Sequence, residues 1–186
     1  MTLQPFDPST SSGHRKLRAS QSQGGVSRRR GREFSMQVLY ASEVGADTLE
    51  KVADRIATSE DDPVSMDARG YGLQLARTVR MRGGEIDRLI QSASDHWDVG
   101  RLAVLDRIIL RMAIAELISE PDVPSKVCIN EAVEIARKFS TEASSRFVNG
   151  ILDAISRQLS HLPPKPSDKS AAAESESNYE SNKDET

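Results

Sequence analysis

Residues 99–119 constrain this chain more than any other stretch. Wound at about 100° per residue, the segment places Leu102, Val104, Leu105, Ile108, Ile109, Leu110, Met112, Ala113 and Leu117 around most of its circumference. A helix that is apolar nearly all round has no face to give to water, so it must be central and the rest of the chain must surround it. Two carboxylates interrupt it. Asp106 and Glu116 project onto the apolar side, where an unpaired charge costs several kcal/mol, so each needs a partner. An internal arginine or a local wet spot is the structural answer; a protein interface is the functional one.

The shell that this helix requires is written in further stripes. Phe34, Val38 and Ala41 line one face of a first helix, with Met36, Leu39 and Tyr40 round its sides and Gly45 as its stop. Asp47-Thr48-Leu49-Glu50 has capping-box form, and Leu49, Val52, Ala53 and Ile56 follow it at helical spacing. After the break at Ser59 to Pro63, a third stripe runs Ala68, Tyr71, Gly72, Leu75, Ala76 and Val79 and ends at Gly83-Gly84. Ile86, Leu89, Ile90, Ala93 and Trp97 give a fourth helix with Trp97 in the core at its end. Beyond the extended Pro121 to Pro124 link, Cys128, Ile129, Ala132, Val133, Ile135, Ala136 and Phe139 share one side of a helix, and Phe147, Val148, Ile151, Leu152, Ala154, Ile155 and Leu159 repeat the plan. No alternation of strand type rivals these stripes. The expected fold is all-α, as two small helical bundles packed together, the first at about 28–82 and the second at about 84–160.

Composition excludes several classes of function. No apolar run approaches the roughly 20 residues that cross a bilayer, and the N-terminus has no signal-type apolar stretch, so a cytoplasmic protein without membrane contact is expected. Cys128 is the single cysteine, and His14, His96 and His161 are too scattered to form a metal site with it. There is no phosphate loop, nucleophile elbow or metal-binding histidine pair. Asp106 and Glu116 lie too far apart along one helix to act on one bond. A binding protein without cofactor is expected, and not an enzyme.

Charge is distributed unevenly along a chain of net charge −3. Through residue 32, seven basic residues face Asp7 alone; from Pro163 onward, six acidic residues face three lysines. Both ends are too polar to offset their ordering entropy, so 1–27 is expected as a disordered basic arm and 163–186 as a disordered acidic tail, around a folded unit at 28–162. The cluster Arg28-Arg29-Arg30-Gly31-Arg32 sits at the start of the first helix. Cations there oppose the helix dipole, so helix stability does not explain them. A polyanion does, and four guanidinium groups on a single strand give a salt slope of roughly −3. The alternative is a solvated arm that maintains solubility.

Several separate motifs stand in one order: Arg28 to Glu33 leading into Gln37-Val38-Leu39-Tyr40, then Asp106-Arg107-Ile108-Ile109-Leu110-Arg111, Asp122 to Val127, Ile129-Asn130-Glu131-Ala132 and Phe147-Val148-Asn149-Gly150-Ile151-Leu152. Over about 28–160 the chain resembles the NusB family of transcription antitermination proteins. The resemblance implies an all-helical fold of two small bundles, pairing with NusE, a small-subunit ribosomal protein, and capture of the boxA element in ribosomal RNA leader transcripts within the elongation complex, so that RNA polymerase passes terminators. It places Arg28, Arg29, Arg30 and Arg32 on the RNA, with a second patch at Ala143 to Phe147, where Ser144, Arg146 and Phe147 join Lys138. Relatives often carry an acidic residue where this chain has Ala143. An arginine for phosphate beside an aromatic for a base suits single-stranded RNA, although Phe147 also lies at the edge of a core stripe. The NusE contact implied is Tyr40 and Asp106; Tyr40 alone reads equally as a core aromatic with its hydroxyl at the rim. Two other readings remain open: a helical module of the kind attached to RNA methyltransferases, here without a catalytic half, and a protein-interaction scaffold or homodimer in which the arginines only add solubility.

Overall fold

A computed structural model describes the backbone of residues 12–59, 63–94 and 99–161, and the side chains from 27 to 160 within those stretches except residue 99. Trp97, the first 11 residues and the acidic tail from 162 onward lie outside the described residues. Among the described residues there are seven α-helices, one 3-10 turn and no strand: α1 Ser12–Gly45, α2 Leu49–Ala57, α3 Met66–Met81, α4 Gly83–Ala93, the turn Val99–Arg101, α5 Val104–Ser119, α6 Ser125–Phe139 and α7 Glu142–His161. The all-α expectation holds.

Helix α5 is the centre. Ile108, Ile109, Leu110, Met112, Ala113, Ile114 and Ala115 are all buried in an almost unbroken run, as a stripe without a polar face demands. Helices α1, α2 and α3 pack on one another, α6 and α4 pack on α5, and α5 also touches α1 and α3, so the central helix joins both groups. The tightest crossing is α1 on α3. A Cβ on Gly72 would collide with the Gly31 carbonyl oxygen and lie 2.9 Å from Phe34 Cδ1, and one on Gly31 would lie 2.8 Å from the Ala68 carbonyl oxygen. Two glycines therefore let the backbones touch.

Four boundaries differ from the sequence reading. The first helix begins at Ser12, ahead of the arginine cluster, so 12–27 continue α1; extending a helix already anchored by packing is far easier than nucleating one. The cap of α2 is Thr48, whose hydroxyl accepts from Lys51 N, not Asp47, whose carbonyl instead accepts from Ser42 Oγ. The pair Gly83-Gly84 opens α4 rather than ending α3, which stops at Met81. Helix α4 itself ends at Ala93, four residues short of Trp97. A compact unit extends to Ser156 and contains every site residue considered below; the second begins at Arg157.

Candidate nucleic-acid interface

The four arginines of α1 do not point one way, because successive residues on a helix turn through about 100°. Arg28 and Arg32, four apart, lie on the side facing α3, each 5.8 Å from the centroid of the Tyr71 ring. Arg32 continues inward and is buried. Its guanidinium grips both oxygens of buried Glu116, with Nε at 2.9 Å and Nη2 at 2.5 Å, while the Tyr71 hydroxyl donates to the same carboxylate. An internal arginine is thus the partner that Glu116 required. Burial by itself would lower the Arg32 pKa, but the hydrogen bonds and charge of Glu116 outweigh it and hold the group above its ordinary value. Tyr71 is raised by burial and by its bond to Glu116. Burial, then the Glu116 charge, push the nearby Cys128 thiol up to about 12. The expectation that Arg32 meets RNA needs correction: its fork is closed on a carboxylate inside the protein.

Arg29 and Arg30 turn toward α6. Arg29 Nε donates to Glu131 Oε2 at 2.9 Å and its Nη2 to Oε1 at 2.6 Å. The hydrogen bond from Arg29 holds the Glu131 carboxyl below the usual range, against burial, which would raise it. Glu33, one turn along α1, takes Arg30 Nη1 at 3.4 Å and Lys138 Nζ at 2.9 Å. Lys138 also lies 4.9 Å from the Phe139 ring centroid. A residue 105 positions away in sequence is thereby brought beside the arginine cluster.

The second expected patch lies at the α6–α7 link. Thr141 caps α7, its hydroxyl accepting from Ser144 N at 3.0 Å. Arg146 is exposed, with Nε 3.6 Å from Glu142 Oε1, and Glu142 also lies 3.9 Å from Arg137. Ala143 is exposed and Phe147 half-buried. Ser144 faces inward: its hydroxyl donates to Asp106 Oδ2 at 2.9 Å, and Ser140 Oγ donates to Asp106 Oδ1 at 2.9 Å. Two corrections follow. Ser144 is buried under the link rather than presented to a ligand. Asp106, in the first turn of α5, is buried and satisfied by two hydroxyls and a helix N-terminus, so a partner's cation is not what offsets its burial. Residues expected to serve different partners are in fact bonded to each other.

Tyr40 is 44% exposed and is not a core aromatic. It stands in the wall of an open groove of about 920 Å³, with Met36, Gln37, Ile56, Leu105 and Phe139 among its neighbours there. Gln37 also lines the groove, but its Oε1 is buried beneath the surface, without a hydrogen-bond partner among the described residues. Sequence reasoning singled out Tyr40 but missed Tyr71, Glu33 and Glu131. Only the Arg30 to Glu33 spacing, i to i+3, was there to be read locally.

Comparison with known proteins gives a consistent picture. The model of the NusB family matches residues 29–157. A transcription antitermination protein NusB from Chloroherpeton thalassium is 45% identical over 129 residues, 69% of this chain and 61% of that protein, so the chain spans less than two thirds of that relative. Among solved structures, T. maritima NusB superposes with a TM-score of 0.64 at 36% identity, covering 73% of this chain and 93% of the other. A crystal structure of antitermination factors NusB and NusE in complex with double-stranded RNA superposes with a TM-score of 0.64 at 25% identity, covering 71% and 97%.

Proposed function

The chain belongs to the NusB family, and from that premise we propose that it is an RNA-binding transcription antitermination factor. It pairs with NusE and captures boxA RNA of ribosomal leader transcripts within an elongation complex, helping polymerase read through terminators. The observation that carries this reading is the meeting of Lys138 of α6 with Arg29 and Arg30 of α1 across Glu131 and Glu33, with Arg28 exposed on the α3 side of α1 and Arg146 exposed in the first turns of α7. A NusB–NusE complex with RNA among its structural neighbours supports it.

Each residue has a distinct part. Arg28, Arg29, Arg30, Lys138 and Arg146 contact phosphates, and half-buried Phe147 offers a ring edge to a base. Arg32 and Ser144 act from beneath, the first by fixing α1 against α5, the second by fixing the α6–α7 link against Asp106. Tyr40 and the groove beside it receive NusE, and Asp106 holds the α5 end of that wall. No catalytic role is assigned. Among the described residues no helix is long and apolar enough to cross a membrane.

The test is a fluorescence titration of boxA-containing RNA and a scrambled control, with and without NusE, at two salt concentrations. Tighter, sequence-selective binding in the presence of NusE supports the proposal. Equal binding of both RNAs, indifferent to NusE, overturns it, and a preference for duplex over single strand removes the single-strand assignment.

A further inference from the structure

The basic face carries fewer open cations than its sequence suggests, and the reason lies beneath it. Arg32 is closed on Glu116, with its Nη1 also 3.7 Å from Glu131 Oε2. Arg29 rests on Glu131, Lys138 rests on Glu33, and Arg30 reaches the same Glu33. Arg28 lies over the Tyr71 ring instead. The pairs are layered: the side chains of Arg29 and Lys138 are 58% and 57% exposed, those of Glu131 and Glu33 only 15% and 14%. Acid lies in the seam between α1 and α6, and base lies above it.

From this layering we infer that Glu33 and Glu131 are specificity-determining residues of the face, fixed counter-ions that keep its attraction for any polyanion low. The inference rests on the RNA-binding reading above. Each carboxylate sits on a packed helix and is largely covered, so it cannot swing away when a phosphate reaches the cation above it. The phosphate meets a cation whose field is already partly cancelled, and it stays a few ångströms from a like charge. This weakens attraction to every strand alike. Recognition that depends on bases and on a partner is affected less, because phosphate contacts position a strand without reading it. The bidentate grip of Glu131 also holds both Nε and Nη2 of Arg29, so the orientation of that cation is fixed.

The probe is a short fluorescein-labelled oligouridine, titrated with the full chain by anisotropy at two potassium chloride concentrations. Glu131→Gln and Glu33→Gln are made separately, so that one serves if the other misfolds, and each is checked by circular dichroism. Removing one counter-ion from a partly exposed pair is expected to tighten oligouridine binding about two- to five-fold and to steepen its salt dependence. The ratio of boxA to scrambled affinity falls in the same variants. Unchanged or weaker oligouridine binding by the folded variants overturns the inference, since counter-ions that only position the arginines lower affinity when lost. Arg28→Ala combined with Arg29→Ala and Arg30→Ala separates the two failures. If that variant binds as the wild type does, the RNA-binding reading fails and this inference with it. If it loses binding while both glutamine variants stay at wild-type affinity, the inference alone fails.

Discussion

Glu116 shows how much a single residue decides here. It lies on the most apolar helix of the protein, and its charge is tolerated because Arg32 and Tyr71 converge on it from α1 and α3. Removing Glu116 strips buried Arg32 of its bidentate partner and leaves it only the Glu131 carboxylate at 3.7 Å, so Glu116→Ala is expected to cost about 3 kcal/mol, read as a drop in the urea midpoint. Replacing both, Arg32→Met with Glu116→Leu, is expected to recover most of that loss, because two well-packed apolar residues carry no stranded charge. If the double variant is no better than the single ones, the pair contributes more than its own neutralisation. Cys128 belongs to the same environment: with its thiol raised to about 12 and its side chain buried, it is expected to resist iodoacetamide at neutral pH until the protein unfolds.

Among the elements, the α1–α3 crossing is the most exacting. Gly72→Ala would push a methyl group into the Gly31 carbonyl and the Phe34 ring, neither of which can retreat without moving a helix, and a loss of about 1–3 kcal/mol in thermal or urea unfolding is expected. Gly70, two residues earlier on α3, is exposed with nothing within 4 Å of the same added atom, so Gly70→Ala is expected to stabilise by roughly 0.5–1 kcal/mol. Opposite signs at two glycines of one helix would confirm that close approach, not helix propensity, decides Gly72. The end of α1 offers a third case. Ala46 has φ 53°, a left-handed conformation that costs an L-residue roughly 1–2 kcal/mol, and Ala46→Gly is expected to regain part of it as a higher melting temperature. The sequence placed the helix stop correctly at Gly45 but could not show that the left-handed residue is the next one, since that depends on how the chain turns into α2.

Over the whole molecule, stability is expected to form a plateau bounded by two different sets of groups. Glu131 is depressed in the folded state, so its contribution is present above its unfolded value of 4.5 and is lost as pH falls through the lower folded value. Cys128 and Tyr71 are raised, so their contribution is present below their ordinary values of 9.0 and 10.0 and is lost as pH rises. Urea midpoints are therefore expected to be flat between about pH 5 and 9 and to fall on both sides; an alkaline limb that persists unchanged in a Cys128→Ala variant would assign it to Tyr71. The helical architecture was legible because each stripe needs only its own residues: Phe34 and Val38, Ile86 and Ile90, Leu152 and Ile155 are buried as their spacing required. The identity of the central helix was legible for the same reason, since a segment without a polar face can be satisfied in only one place. The basic cluster was visible as composition, and its exposure was not. Which arginine closes on Glu116, which carboxylates lie under Arg29 and Lys138, and whether Asp106 answers to a partner or to two serines are relations between residues some 34 to 105 positions apart. Periodicity tells which face of a helix turns inward; only the packing of one helix on another tells what that face meets.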